Sequence, residues 1–269
     1  MDWDSKYGPW AVVTGASSGL GEHFARQLAQ RGSNLFLVAR REYRLHSLGQ
    51  ELREQFGVET LAVPLDLGAP GAVETLCRRT ADRDVGLFVD NAGFGYMGRL
   101  LDQDSERLAR MIHLNCTVTL LAAMAFAKRM KARGGGGIIV SASLAGFQAT
   151  PHMAAYGATK GFDLLFAEGL AHELRGTGVD VLALCPGSTS TEFGQVAGSR
   201  GGTRGSMAPG PVVAEALRAL GRKDVVVTGL ANKVVGHVLG PILPRRWITA
   251  ASGMAIGRMV DGEKKGNSN

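Results

Sequence analysis

Short apolar runs alternate with longer amphipathic stretches along most of the chain. The runs predict strands at 10–14, 34–39, 59–64, 85–89, 137–142, 179–184 and 225–228. The stretches between them predict helices at 19–31, 42–56, 72–80, 105–131, 155–175 and 212–220. Because the runs are almost continuous in Val, Leu, Ile and Ala, they are typical of parallel strands that helices cover on both faces.

This alternation predicts an α/β fold, a doubly wound parallel sheet of about seven strands with helices on both faces. No linker-like segment interrupts it, so we expect a single domain over 1–269. Residues 192–211 contain a Gly-, Ser- and Arg-rich loop and are predicted to form a substrate lid. Residues 230–260 are an apolar C-terminal extension with scattered cations. The extension either covers a lipophilic substrate, packs on the body or a neighbouring subunit, or contacts a membrane surface.

The first apolar run ends in a glycine-rich turn that opens the next helix. Its sequence from Thr14 to Gly21 is TGASSGLG. Glycine permits a tight turn and close approach of a ligand to the backbone, and the free N–H groups of a helix start suit a pyrophosphate. We therefore predict a dinucleotide phosphate site, with a plain strand–helix turn as the alternative. Its residues are Gly15, Ser17, Ser18, Gly19, Leu20 and Gly21.

The end of the second run indicates which dinucleotide binds. Sheets that bind NAD(H) usually carry Asp or Glu there for the ribose 2′-hydroxyl, whereas an Arg accommodates a 2′-phosphate. Here the run ends LVARR at Arg41, without an acid. We predict that Arg40, helped by Ser17, binds a 2′-phosphate, which favours NADP(H) over NAD(H). The alternative is that Arg40 and Arg41 are a solvated helix start, one of them paired with Glu42.

Tyr156 and Lys160 stand four residues apart at the start of a predicted helix and so share one face. A free tyrosine has a pKa of about 10, and a nearby ammonium lowers it, so the pair predicts an acid–base centre. Ser143 follows the fifth run at the carboxyl edge of the sheet, where ligands of open α/β sheets bind. We prefer it to Ser141 because it lies 13 residues before Tyr156.

Two further polar features lie near this edge. Asn91, Ala92 and Gly93 follow the fourth run. Asn115 lies among apolar residues of the long predicted helix, where either a functional role or a helix-internal hydrogen bond would explain it.

Together these motifs resemble the short-chain dehydrogenase/reductase family over about 10–193. The tail resembles an extension in a reductase subgroup near ketoacyl and hydroxysteroid reductases. The resemblance implies a Rossmann-like fold and hydride transfer between NADP(H) and a carbonyl or alcohol. One departure is Asp90, where the family often has Asn. The matching residues are the glycine turn, Asp66, Asn91-Ala92-Gly93, Asn115, Ser143, Tyr156, Lys160 and Pro186-Gly187 with Thr191.

The resemblance also implies individual roles. Tyr156 would transfer a proton to or from the substrate oxygen, which Ser143 would hold. Lys160 would bond the nicotinamide ribose and depress the pKa of Tyr156, and Asn115 would hold a water that leads from Lys160 to solvent. The other cofactor contacts would be Asp66 at the adenine, Asn91, Ala92 and Gly93 near the ribose, and Pro186, Gly187, Thr189 and Thr191 near the nicotinamide, with Thr191 at its carboxamide.

Composition narrows the partners. The net charge of +6 comes from Lys and Arg spread among acids, and no nucleic-acid motif is present, so we expect no nucleic-acid partner. Three scattered cysteines and six histidines without ligand spacing predict no metal site. No signal peptide is visible and no uninterrupted apolar stretch is long enough to span a bilayer, so we expect a cytoplasmic protein. We also expect it to be a homodimer or a homotetramer.

Three functions fit these residues. The preferred one is NADPH-dependent reduction of a ketone. The alternatives are oxidation of an alcohol, as in hydroxysteroid dehydrogenases, and a non-catalytic NADP-binding sensor or scaffold. The complete set of Tyr156, Lys160, Ser143 and Asn115 favours an enzyme.

Overall fold

The computed structural model describes residues 3–199, 206–239 and 242–261. Its sheet has seven parallel strands in the order β3-β2-β1-β4-β5-β6-β7, which confirms the doubly wound α/β prediction. The strands are β1 Trp10–Thr14, β2 Asn34–Ala39, β3 Thr60–Pro64, β4 Val85–Asp90, β5 Gly136–Ser141, β6 Val179–Cys185 and β7 Val225–Val227.

Helices connect successive strands. The longer helices are α2 Gly19–Ala29, α3 Glu42–Phe56, α4 Ala72–Arg79, α5 Ser105–Ile112, α6 Thr119–Arg133, α7 Ala154–Glu173, α9 Pro209–Ala219 and α11 Arg245–Asp261. The shorter ones are α1 Trp3–Tyr7, α8 Phe193–Ala197 and α10 Leu230–Lys233.

Two apolar cores lie on opposite faces of the sheet. One packs α4, α6 and α7 against the strands, with Phe88 and Phe126 stacked at a ring distance of 4.3 Å. The other packs α2, α3 and α9 through residues such as Phe24, Leu45 and Val212. Both faces of β1, β4 and β5 are therefore buried, which explains why these strands are almost continuously apolar.

The long helix predicted at 105–131 is interrupted. A π-helical turn at His113–Val118 separates α5 from α6, and Asn115 lies inside it. The whole stretch Ser105–Arg133 is long and apolar enough to cross a membrane by length and composition. Its buried side chains, which include Phe126 and Met130, belong to the core on the sheet.

The strand order reverses between β1 and β4, because the chain runs outward from β1 to β3 and then returns. In open α/β sheets the crevice at such a reversal, outside the carboxyl ends of the strands, is where ligands bind. The ends of β1, β4 and β5 therefore mark the expected ligand site.

Candidate active site

The glycine turn follows β1 and is shaped by close packing. Gly15 and Gly19 have positive φ angles of 66° and 58°, which glycine adopts without strain. A methyl group on Gly21 would lie 2.2 Å from the carbonyl oxygen of Gly15, so the helix start and the strand end touch there. A methyl group on Gly19 would lie 3.1 Å from Cβ of Thr191, so the segment after β6 lies against the turn.

Thr14 and Asn91 join the strand ends beneath this turn. The Thr14 hydroxyl accepts hydrogen bonds from the backbone N–H groups of Asn91 and Ala92, at 2.8 and 2.9 Å. The Asn91 amide donates to the Thr14 carbonyl at 3.1 Å, and the Ser141 hydroxyl donates to its oxygen at 3.4 Å. Asn91 therefore connects β1, β4 and β5, in agreement with its expected position.

Asn115 is buried and does not make the helix-internal hydrogen bond considered as an alternative. Its amide donates to the Phe94 carbonyl at 3.0 Å and to the Thr159 hydroxyl at 3.1 Å, and its oxygen accepts from the Phe94 N–H at 3.2 Å. A methyl group on Gly93 would lie 2.9 Å from the Asn115 oxygen and 3.8 Å from Lys160 Nζ. The structure thus brings Asn115, Gly93 and Lys160 to one point.

Tyr156 and Ser143 meet at the carboxyl end of β5. Ser143 lies close enough to the Tyr156 phenol to lower its pKa, whereas the Ser141 hydroxyl donates to Asn91, so Ser143 is the serine beside the tyrosine. Lys160 Nζ lies 5.9 Å from the centroid of the Tyr156 ring, as the shared helix face predicts. The four residues expected to be catalytic therefore lie together.

The pKa of Tyr156 differs from expectation. Burial raises it above the usual value for tyrosine, while the Lys160 ammonium and the Ser143 hydrogen bond lower it, and Asp163 raises it further. Lys160 acts in the expected direction, but the net shift is upward because the phenol is only 8% exposed. The expected depression of the Tyr156 pKa by Lys160 is therefore present, and burial outweighs it.

Lys160 lies in a buried group of charges that the sequence did not reveal. Its ammonium donates to the Ser141 carbonyl at 2.7 Å and to Asp163 Oδ2 at 2.8 Å. Burial alone would lower the pKa of Lys160, but Asp163, Tyr156 and Asp90 raise it above the usual range. Lys160 therefore stays charged.

Asp90 is the second carboxyl group near this ammonium. Burial raises its pKa to about 6, and the negative charge of Asp163 adds to that, while hydrogen bonds from Thr119 and Thr14 oppose it. Asp90 Oδ2 and Asp163 Oδ1 are buried without a hydrogen-bond partner among the described residues. The group thus contains two carboxyls for one ammonium.

Arg41, not Arg40, reaches the glycine turn. Arg41 donates to the Ser17 hydroxyl at 3.0 Å and to the Ser18 hydroxyl at 2.8 Å. Arg40 is exposed at the end of β2, and among the described residues it has no hydrogen-bond or ion-pair partner. Arg41 is therefore a second candidate, beside Arg40, for the predicted 2′-phosphate contact.

Arg44 and Glu192 lie beside Arg41. Arg44 and Arg41 both bind the carboxylate of Glu192, at 2.6 and 2.8 Å. The alternative partner, Glu42, instead lies 3.5 Å from His46. Arg44 and Glu192 were missed because no local pattern links positions 148 residues apart.

The remaining expected cofactor contacts lie along the same edge. Asp66 is exposed after β3, and its carboxylate accepts from the Gly68 N–H at 3.0 Å. Pro186 accepts from the Leu144 N–H at 2.9 Å. A methyl group on Gly187 would lie 2.2 Å from the Asn232 amide, so α10 approaches the backbone there. Thr189 pairs with Met207 as an isolated bridge.

These features fit a nicotinamide dinucleotide. Ser18 is the N-cap of α2, and among the described residues no side chain caps the N–H groups of this helix start. A methyl group on Gly15, Gly19 or Gly21 would lie 2.8, 3.1 or 2.2 Å from its nearest neighbouring atom, so the turn has no room for side chains at these positions. The phosphates would lie on this turn, and the arginines lie beside it.

An apolar cluster surrounds the ring of Tyr156. It contains Met111, Met153 and Phe193, whose ring centroid is 5.2 Å from that of Tyr156. Ile256 of α11 packs against the same cluster. The C-terminal extension, which sequence reasoning left open, therefore reaches the neighbourhood of the catalytic group.

Comparison with known proteins agrees with this geometry. A family model described as short chain dehydrogenase matches residues 9–200. The 7beta-hydroxysteroid dehydrogenase of Collinsella aerofaciens is 34% identical over 243 residues, which cover 88% of this chain and 92% of that protein.

Solved structures show the same similarity. A structure described in terms of 7beta-hydroxysteroid dehydrogenase stereoselectivity has a TM-score of 0.86 and 31% identity, covering 94% of this chain and 99% of that one. A short-chain dehydrogenase from Sphingobium yanoikuyae in complex with NADPH has a TM-score of 0.78 and 33% identity, covering 97% and 99%. The chain therefore belongs to the short-chain dehydrogenase family, and it is an oxidoreductase that acts on CH–OH or carbonyl groups with a nicotinamide cofactor.

Proposed function

We propose that this enzyme reduces a bulky apolar ketone with NADPH, and that Tyr156 donates the proton to the carbonyl oxygen. The observation that carries the function is the buried phenol of Tyr156, with Lys160 Nζ 5.9 Å from its ring centroid. A protonated phenol is an acid, which is the form that carbonyl reduction needs. When bound, NADPH supplies the hydride.

The chain's own residues supply positioning and charge. Ser143 holds the substrate oxygen next to the phenol, whose pKa it lowers. The Lys160 ammonium stabilises the phenolate that remains after proton donation and bonds the nicotinamide ribose. Asn115, fixed by Phe94 and Thr159, holds a water that restores the proton from solvent.

The cofactor contacts follow the edge of the sheet. The glycine turn (Gly15, Ser17, Ser18, Gly19, Leu20 and Gly21) binds the pyrophosphate, and Arg40 and Arg41 bind the 2′-phosphate. Asp66 contacts the adenine, Asn91, Ala92 and Gly93 lie near the ribose, and Pro186, Gly187, Thr189 and Thr191 hold the nicotinamide end. The NADPH complex of the Sphingobium yanoikuyae relative supports the choice of NADP(H).

Two segments bound the substrate space. Residues 192–211, of which 200–205 lie outside the described part, act as a lid that begins at Glu192 and Phe193. The extension 230–260, of which 240 and 241 lie outside it, acts as a cover. In support, methyl groups on Gly253 and Gly257 would lie 3.2 Å from Pro151 and 3.5 Å from His152 Nε2. The apolar cluster around Tyr156 and the hydroxysteroid relative favour a large lipophilic ketone.

The function is tested by oxidation of NADPH and NADH, followed by absorbance, against a panel of ketones. The panel includes oxo-steroids, a long-chain 3-oxoacyl thioester and a small aliphatic ketone. We expect turnover with NADPH and the bulky members, with NADH at least ~10-fold less effective in kcat/KM. Binding of NADPH without turnover of any member would instead support a sensor, and preference for NADH would refute the cofactor proposal.

We further propose that the enzyme is a cytoplasmic homodimer or homotetramer. Helices α6 and α7, on one side of the sheet, expose Leu121, Met124, Phe162 and Leu165, and such apolar surface is typical of a subunit interface. The described cysteines are unpaired, as in a reducing compartment. Light scattering at micromolar concentration is expected to give a dimer or tetramer, and Leu165→Glu a smaller species. A wild-type monomer would contradict this proposal.

A further inference from the structure

The carboxylate of Glu192 is bound as a phosphate would be. Glu192 Oε2 lies 2.8 Å from Arg41 Nη1, and its Oε1 lies 2.6 Å from Arg44 Nη1. Arg41 also donates to the hydroxyl groups of Ser17 and Ser18. Two guanidinium groups on one anion, with two hydroxyls beside one of them, form the kind of donor set that recognises a phosphate monoester.

The position of Glu192 links this site to the catalytic centre. Thr191, directly before it, lies against Gly19 of the glycine turn. Phe193, directly after it, packs its ring on Tyr156 at 5.2 Å. The three residues 191–193 therefore contact the glycine turn, the two arginines and Tyr156.

The ion pairs of Glu192 with Arg41 and Arg44 form readily, and a more highly charged anion can displace the carboxylate. Hydrogen bonds from Arg44 and Arg41 hold the pKa of Glu192 down at about 2, so its carboxylate is charged throughout the neutral range. Its side chain is 39% exposed, and ion pairs with this much solvent contact contribute little to stability. A 2′-phosphate carries about twice the charge of a carboxylate and offers three acceptor oxygens.

We propose that Glu192 is an internal substitute for the 2′-phosphate. In the cofactor-free enzyme its carboxylate occupies the Arg41–Arg44 site, and NADP(H) binds by displacing it. NAD(H) has no 2′-phosphate, so it leaves the ion pairs in place and gains nothing from the arginines. Glu192 is thus a specificity-determining residue whose release from the two arginines depends on the 2′-phosphate. The inference rests on the proposed use of NADP(H).

The test measures nucleotide binding rather than turnover. Calorimetric titration of the full chain compares adenosine 2′,5′-bisphosphate with adenosine 5′-phosphate, in wild type and in Glu192→Gln. Because a bound competitor lowers apparent affinity by the fraction of sites left free, Glu192→Gln is expected to bind the bisphosphate about 3–30-fold more tightly. Its affinity for the monophosphate is expected to stay unchanged.

The matched control is Asp224→Asn, which removes an exposed ion pair of 2.8 Å with Arg175. It is expected to leave both affinities unchanged. If wild type prefers the bisphosphate but Glu192→Gln binds it equally or less tightly, Glu192 only supports the arginines and this inference is overturned, while NADP(H) use stands. If neither protein prefers the bisphosphate, the proposed use of NADP(H) fails and this inference with it.

Discussion

Tyr156→Phe is expected to lower kcat/KM for ketone reduction by about 10²–10⁴-fold, because it removes the proton donor and little else. The ring that remains keeps its contacts with Phe193 and with the apolar cluster. Only the hydroxyl beside Ser143 is lost. NADPH affinity, measured by fluorescence titration, and the melting temperature are therefore expected to change little.

The matched control is Tyr96→Phe, whose hydroxyl accepts a hydrogen bond from the backbone of Asp104 at the start of α5. This variant is expected to keep near wild-type activity. The raised pKa of Tyr156 also fixes the pH dependence. Because the acid form persists above the ordinary pKa of about 10, the reductive rate should stay level from neutral to mildly alkaline pH. Full activity in Tyr156→Phe would refute the mechanism.

Asp163→Asn is expected to destabilise the fold by about 3–5 kcal/mol, because it removes the direct partner of a buried ammonium. Lys160 and Asp163 are joined at 2.8 Å, with side chains 10% and 1% exposed. Without the Asp163 charge, burial acts on the Lys160 ammonium with only Tyr156 and the more distant Asp90 to oppose it. Urea unfolding followed by circular dichroism measures the change.

Asp90→Asn provides the matched comparison, with the opposite sign. The folded pKa of Asp90, about 6, lies above its ordinary value of 3.8. A group raised in this way stabilises the fold below the lower value and loses that contribution as pH rises through the higher one. At pH 8 wild type therefore carries a cost of about 3 kcal/mol that the uncharged amide of the variant avoids.

Asp90→Asn should thus be at least as stable as wild type at pH 8, and its advantage should shrink towards pH 4. The measurement is the difference in unfolding free energy between the two pH values. If Asp90→Asn and Asp163→Asn lowered the free energy of unfolding equally, the two carboxyl groups would be equivalent partners of Lys160, and their opposite roles would be refuted.

The sheet could be predicted because its strands are buried on both faces. β1 and β2 begin and end where the apolar runs do. Every position of β1 is buried, and so are the four central positions of β2. The π-helical turn could not be predicted. Its residues, His113–Val118, continue the helical pattern, and only the tertiary contacts of Asn115 with Phe94 explain it.

The candidate catalytic residues could be predicted because Ser143 follows the end of β5 and because Tyr156 and Lys160 stand one turn apart on the next helix. Asp163 lies three residues after Lys160, and a second charge on a buried helix face was an available but unused signal. Glu192 had no such signal, because its partners are distant in the chain. The lowering effect of Lys160 on the pKa of Tyr156 was predicted, but the net rise was not, because sequence reveals the neighbouring ammonium and not the depth of burial.

The π-helical turn separates two halves of a long helix that pack against different parts of the protein. α6 is anchored in the core by Phe126 and Met130, whereas α5 contributes Met111 to the cluster at Tyr156. A wide turn between them lets the two halves tolerate different changes. The half that faces the substrate can accept substitutions, and so new substrates, without disturbing the half that supports the sheet. Substitutions that change the substrate of this enzyme are therefore expected to concentrate in α5 rather than in α6.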